Sequence, residues 1–244
     1  MEKIIWISLF YDTSKWTDLA DKYAVREYVK NKCGEQYLNK IYGVYNTTSD
    51  INYDVLPNSF VLKTTNGCAT NILVRDKICM NKEMINLKLS KWLKFPYGEL
   101  TGQLHYTRIK PRIIAEEYLK EGSKPSLTDY KFFCFNGVPK YVVVYADREE
   151  NTHNYSVMVY DMDWNAYPKF VNPRCATSDI ILPPIALEEM VSIVSCLSES
   201  FPFVRVDLYI INDRPIFGEM TFTPDVVSNI TTELTDLMSK WIDI

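Results

Sequence analysis

Two carboxylates frame the chemistry this sequence can support. Asp207 sits inside Phe203-Val204-Arg205-Val206-Asp207-Leu208-Tyr209-Ile210-Ile211, and Glu219 inside Gly218-Glu219-Met220-Thr221. Both runs read as strands, joined through Asn212-Asp213-Arg214-Pro215. Alternation puts Val204, Val206, Leu208 and Ile210 on one face and Arg205, Asp207 and Tyr209 on the other. If the connecting loop is odd, for instance Asn212 to Arg214, Asp207 lies opposite Glu219 and Arg205 opposite Thr221. Directly opposed residues have Cβ atoms about 4.5–5.5 Å apart, and like charges there repel. A divalent cation with oxygen ligands would offset the repulsion, and Mg²⁺ takes one or two carboxylates together with substrate phosphates. The alternatives are that both acids point to water, that Arg205 neutralises them, or that an even loop sends them to opposite faces.

The cations that could accompany such a pair are Lys63, Lys131, Arg148 and Arg205. Lys63 ends an apolar strand just before a polar loop, where it could grip phosphate or simply snorkel at an edge. Lys131, in Asp129-Tyr130-Lys131-Phe132-Phe133, carries the same two readings, and Arg148 follows a strand end at Tyr145-Ala146-Asp147. Glu116 and Glu117 are adjacent, so on a strand only one can enter a given pocket. Together these residues suit phosphoryl transfer, which depends mainly on positioning and charge stabilisation.

The elements that must hold them read as α+β with antiparallel sheets. Asp18 to Lys32 has a helical stripe stopped by Gly34. Phe60-Val61-Leu62-Lys63 and Asn71-Ile72-Leu73-Val74 form a hairpin around a polar loop. Arg112 to Leu119 is a strand, followed by a loop with Gly122, Ser123 and Pro125. Tyr130 to Asn136 and Pro139 to Tyr145 flank the turn signal Asn136-Gly137. Leu187, Met190, Val191, Val194 and Leu197 give Ile185 to Ser198 the spacing of a helix packed on a sheet. Three regions are expected: 1–54, helical; 55–125, a small lobe with the phosphate-covering loop; and 126–244, a lobe with the metal site.

Composition narrows the function. At 244 residues the chain can bury a sizeable core. A net charge of -4 with no basic block argues against a nucleic-acid partner. Only His105 and His153 are present, which leaves little for a His-based zinc site or a Ser-His-Asp triad. Apolar runs such as Phe60 to Leu62 or Tyr141 to Tyr145 are far too short to span a bilayer. The opening Met1 to Trp6 lacks an export signal, so the six scattered cysteines are expected to be reduced thiols in the cytoplasm.

The order of segments resembles the TupA-like ATP-grasp family of teichuronopeptide and polysaccharide biosynthesis. The likeness is carried by Asp21-Lys22-Tyr23-Ala24-Val25-Arg26, Leu56-Pro57 with Phe60 to Lys63, Ile113 to Leu119, Asp129 to Gly137, Asp147-Arg148 and Gly218 to Phe222. It implies ATP sandwiched between two antiparallel sheets, with Lys63 and Lys131 on phosphates and Asp129 beside Lys131 among the nucleotide contacts. Glu116, Glu117 and the backbone near Leu119 would line the adenine and ribose pocket. Asp207 and Glu219 would hold Mg²⁺ with Thr221 nearby, and Arg148 and Arg205, with Lys131, would steady the transferred phosphate.

The activity implied is an ATP-dependent ligase joining a carboxylate to an amine, both small molecules, on a nucleotide-linked or lipid-linked sugar precursor. Three departures stand out. The loop Thr64 to Ala69 has one glycine, Thr221 stands where the wider fold usually has Asn, and Pro224-Asp225-Val226-Val227 replaces a glycine-containing turn. They motivate a catalytically weakened nucleotide-binding protein as an alternative, and the acid pair would equally serve a glycosyltransferase using a sugar-nucleotide diphosphate.

Overall fold

The computed structural model describes residues 2–122, 124, 126–148, 154–225 and 229–242. Ser123, Pro125, His153, Val226 and Val227, all named above, lie outside them. In chain order the elements begin with α1 (Glu2–Phe10), α2 (Ser14–Ala20), α3 (Val25–Lys32), β1 (Ile41–Tyr45), β2 (Phe60–Thr64) and β3 (Asn71–Val74). Next come α4 (Lys82–Leu93), α5 (Tyr97–Thr101), β4 (Ile113–Glu117), β5 (Asp129–Phe135), β6 (Val138–Ala146) and β7 (Ser156–Asp161). The chain finishes with β8 (Ala176–Thr177), α6 (Leu187–Ser198), β9 (Val204–Ile211), β10 (Arg214–Thr221) and α7 (Thr232–Ser239). The class is α+β, with two sheets that are antiparallel apart from the short β7–β8 pair.

The chain divides into two compact units. The smaller comprises 12–28 and 38–119; the larger comprises 1–11, 29–37 and 120–244. The first 54 residues are thus shared between both units.

In the smaller unit the sheet order is β1-β4-β2-β3. Phe60 and Leu62 of β2 and Ile113 and Ala115 of β4 turn inward onto Ile85 and Leu89 of α4, and all six are buried. Alternation then puts Val61, Lys63, Ile114 and Glu116 on the opposite face. The expected single helix from Asp18 to Lys32 is instead two. Asp21 Oδ1 accepts from the backbone N–H groups of Tyr23 (2.8 Å) and Ala24 (3.1 Å), and such short side-chain bonds compete with helix continuation.

In the larger unit the sheet order is β10-β9-β5-β6-β7-β8. Val204, Val206 and Leu208 of β9 and Phe132 of β5 are fully buried. α6 packs on β5, β6 and β9 through Met190, Ile193, Val194 and Leu197. Burying side chains of this size contributes about 1.5–3 kcal/mol each, which fixes the strands that carry the charged face.

The β9–β10 hairpin corrects the odd-loop expectation. Asn212 and Asp213, with φ of 50° and 59°, form a two-residue turn, and Ile211 pairs with Arg214. Right-handed strand twist favours such mirror-image turns, and Asn and Asp tolerate the positive φ they require. That even turn alone would set Gly218 opposite Asp207. A one-residue bulge between Phe217 and Glu219 restores the frame, so that Glu219 pairs with Asp207 and Thr221 with Arg205. The extra residue is Gly218, where a Cβ would sit 3.0 Å from both Asp207 O and Tyr209 Cε2.

Candidate active site

On the larger unit the bulged rung gathers charges from three adjacent strands. Arg205 Nε donates to Asp207 Oδ1 at 2.6 Å, and its Nη2 reaches Asp207 Oδ2 at 2.7 Å, Glu219 Oε1 at 2.8 Å and Thr221 Oγ1 at 3.0 Å. Thr221 Oγ1 donates to Glu219 Oε1 at 3.1 Å. From β5, which pairs Lys131 with Asp207, the ammonium of Lys131 lies 2.5 Å from Asp207 Oδ2. The acids therefore converge, and Arg205 neutralises them: the geometry expected of a metal pair and one of its alternatives hold together.

Burial makes these contacts strong. The Asp207 side chain is 2% exposed and that of Arg205 12%. Burial alone would pull the Arg205 guanidinium down, but the charges of Asp207 and then Glu219 reverse this and hold it above its ordinary value. Asp129, at the start of β5, is also buried; its Oδ2 accepts from Arg148 at 2.9 Å and lies 3.9 Å from Lys131. Tyr209 shares the face with Arg205 and Asp207. The charge of Asp129, then burial, raises its phenol far above the ordinary range, so the hydroxyl stays protonated. Sequence reasoning placed Tyr209 on this face without giving it a partner, and it missed the bulge. A glycine inside a strand was the available signal for the latter.

The smaller unit carries a simpler arrangement. Val61 pairs with Glu116 and Lys63 with Ile114, so Lys63 and Glu116 are diagonal neighbours and form an ion pair, with side chains 27% and 8% exposed. Glu117 faces the other way, where its Oε2 accepts from Lys40 N at 3.4 Å. Leu119 follows the strand and is half-buried. The loop after Lys63 is tied down by two of its own side chains and by Lys22. Thr65 Oγ1 donates to Lys110 O at 3.1 Å, Asn66 Nδ2 donates to Trp92 O at 3.1 Å, and Lys22 donates to Gly67 O. Asp21, whose carboxylate is buried, also receives Arg112 Nη2 at 2.6 Å.

Asp207, Glu219 and Thr221 offer only oxygen donors converging on one rung, a set that fits a hard cation such as Mg²⁺. Among the described residues no three His, Cys, Asp or Glu side chains cluster, so the set is two carboxylates and a hydroxyl.

Residues 2–239, nearly the whole chain, match the family described as TupA-like ATPgrasp. The chain belongs to the TupA-like ATP-grasp family. No curated protein matches this member by sequence. Among solved structures it is similar to D-alanine--D-alanine ligase from Bacillus anthracis, at 13% identity and a TM-score of 0.51, covering 92% of this chain and 65% of that one. The same ligase complexed with ATP matches at 13% identity and a TM-score of 0.51, over 92% and 63%. L-amino acid ligase from Bacillus licheniformis matches at 14% identity and a TM-score of 0.53, over 88% and 45%. These likenesses give the ATP-grasp fold, and the chain spans less than two thirds of each structure. No helix among the described residues of this family member is long and apolar enough to cross a membrane.

Proposed function

We propose that this TupA-like ATP-grasp protein is an ATP-dependent ligase that activates a carboxylate as an acyl phosphate and joins it to an amine. The observation that carries this reading is the rung of Arg205, Asp207, Glu219 and Thr221 in a chain of this family. The substrate carboxylate oxygen attacks the γ-phosphorus of ATP, and the bond to the ADP oxygen breaks. The amine nitrogen then attacks the acyl carbon, phosphate leaves, and the nitrogen gives up a proton.

In this proposal Asp207, Glu219 and Thr221 hold Mg²⁺, which when bound would neutralise phosphate charge. Lys63 and Lys131 contact phosphates, and Arg205 and Arg148 steady the transferred group. Asp129 aims Lys131 and Arg148 through its contacts with both. Glu116 and the backbone at Leu119 face the ribose and adenine, whereas Glu117, on the opposite face of β4 beside Lys40, is left out of that pocket. Two similar folds belong to proteins named for ligating amino acids, which supports an amino acid as one partner. A uronic-acid carboxylate on a nucleotide-linked or lipid-linked precursor of a surface polysaccharide rests on the family resemblance alone.

The test is Mg-dependent ADP release from ATP across a panel of acids and amines, with Asp207→Ala and Glu219→Ala as controls. Full turnover in both variants would sink the metal assignment. Thermal stabilisation by UDP-sugars but not by Mg·ATP would favour a glycosyltransferase, and ATP binding without turnover on a broad panel would favour a nucleotide-binding role.

A further inference from the structure

Asp207 has no oxygen without a resident cation. Oδ1 takes Arg205 Nε at 2.6 Å, while Oδ2 takes Arg205 Nη2 at 2.7 Å and Lys131 Nζ at 2.5 Å. Arg205 Nη2 also reaches Glu219 Oε1 at 2.8 Å. The rung therefore holds two positive and two negative side chains and is already neutral, and beside it Asp129 is matched by Arg148. A dication arriving alone would leave this buried cluster with an excess of two positive charges. A dication arriving with a polyphosphate brings negative oxygens to which a guanidinium and an ammonium can turn.

We infer that Arg205, seconded by Lys131, closes the Asp207–Glu219 pair to free divalent metal, so that metal enters only with a nucleotide polyphosphate that draws the two cations away. This rests on the ligase reading for the identity of the polyphosphate, whereas the competition between Arg205 and metal rests on the ion pairs alone. It makes Arg205 an ordering device as well as a ligand for the transferred phosphate.

Mn²⁺ titration by electron paramagnetic resonance, with and without a non-hydrolysable ATP analogue, tests it. Wild type should bind Mn²⁺ below millimolar concentration only when the analogue is present. Arg205→Gln should bind Mn²⁺ without nucleotide, about tenfold tighter or more than wild type. Its thermal midpoint should rise with Mn²⁺ while that of nucleotide-free wild type does not, and Lys131→Met should show a smaller gain. Submillimolar Mn²⁺ binding by nucleotide-free wild type overturns the inference, as does a folded Arg205→Gln with unchanged affinity. If Arg205→Gln folds only when Mn²⁺ is supplied, the inference is supported. If it folds in neither condition, Lys131→Met decides, and unchanged Mn²⁺ affinity there is an overturning result. Failure of wild type to bind the analogue with Mn²⁺ sinks the nucleotide reading instead, leaving the metal-only arms to judge the competition.

Discussion

Each unit sets a lysine against an acid across antiparallel strands, but the two settings differ in how many partners share the burial. On the smaller unit Lys63 meets Glu116 diagonally, and the lysine side chain keeps 27% of its exposure. On the larger unit Asp207, at 2% exposure, is shared by Arg205 and Lys131, while Arg205 in turn reaches Glu219 and Thr221. A pair that remains partly wet can part cheaply. A buried network stores a large penalty for leaving any member unmatched. The second setting suits charges that stay in place until a stronger claimant arrives.

The sharpest way to break the comparison is to unmatch one charge on each side. Asp207→Asn should destabilise the larger unit by about 3–5 kcal/mol, because two buried cations lose their shared anion. Urea unfolding should show this, and a loss below that of Glu116→Gln would invert the ranking.

A pH titration separates the units differently. Burial, then the charge of Arg108, holds His105 of the smaller unit down to about 4, below its ordinary 6.5. The unfolded chain thus takes up the proton first, so stability falls as pH drops from 6.5 to 4, by about 3 kcal/mol in all. Unfolding free energies of wild type and His105→Gln across that window should diverge; parallel curves would remove His105 as the cause.

Gly218→Val should cost about 1–3 kcal/mol by crowding Asp207 O and Tyr209, and should weaken Mn·nucleotide binding by displacing Glu219. Calorimetric titration would check the second part. The smallest effect is expected from Glu116→Gln, about 1–2 kcal/mol, since Lys63 can turn to water. Differential scanning calorimetry would detect it.

Much of this arrangement was legible from residue order. The faces of β9 follow from alternation between apolar and charged residues, and Asn136-Gly137 marks the β5–β6 hairpin with φ of 49° and 79°. What escaped were features set by one residue acting against the local pattern. Asp21 splits a helical stripe by accepting from the backbone N–H groups of Tyr23 and Ala24, and Gly218 inserts into a strand whose composition otherwise reads as regular. The odd-loop expectation had the right facing of Asp207 and Glu219 for the wrong reason, because pattern counts residues and cannot tell a turn from a bulge. Within the expected helical region 1–54 the bounds of the nine-residue helix α1 also escaped, since Ile4-Ile5-Trp6 has no clear helical period.

The bulge gives the hairpin a second place, besides the turn, to house an extra residue. The side on which Glu219 emerges depends on its pairing with Asp207, and residues housed in the turn or in the bulge lie outside that pairing. Lengthening the Asn212-Asp213 turn by one residue while removing Gly218 should leave the two acids facing each other. Deleting Gly218 alone should also leave Glu219 opposite Asp207, on a regular strand in place of the bulge. Single-residue length variation in this hairpin is therefore compatible with the site wherever the turn or the bulge takes it up.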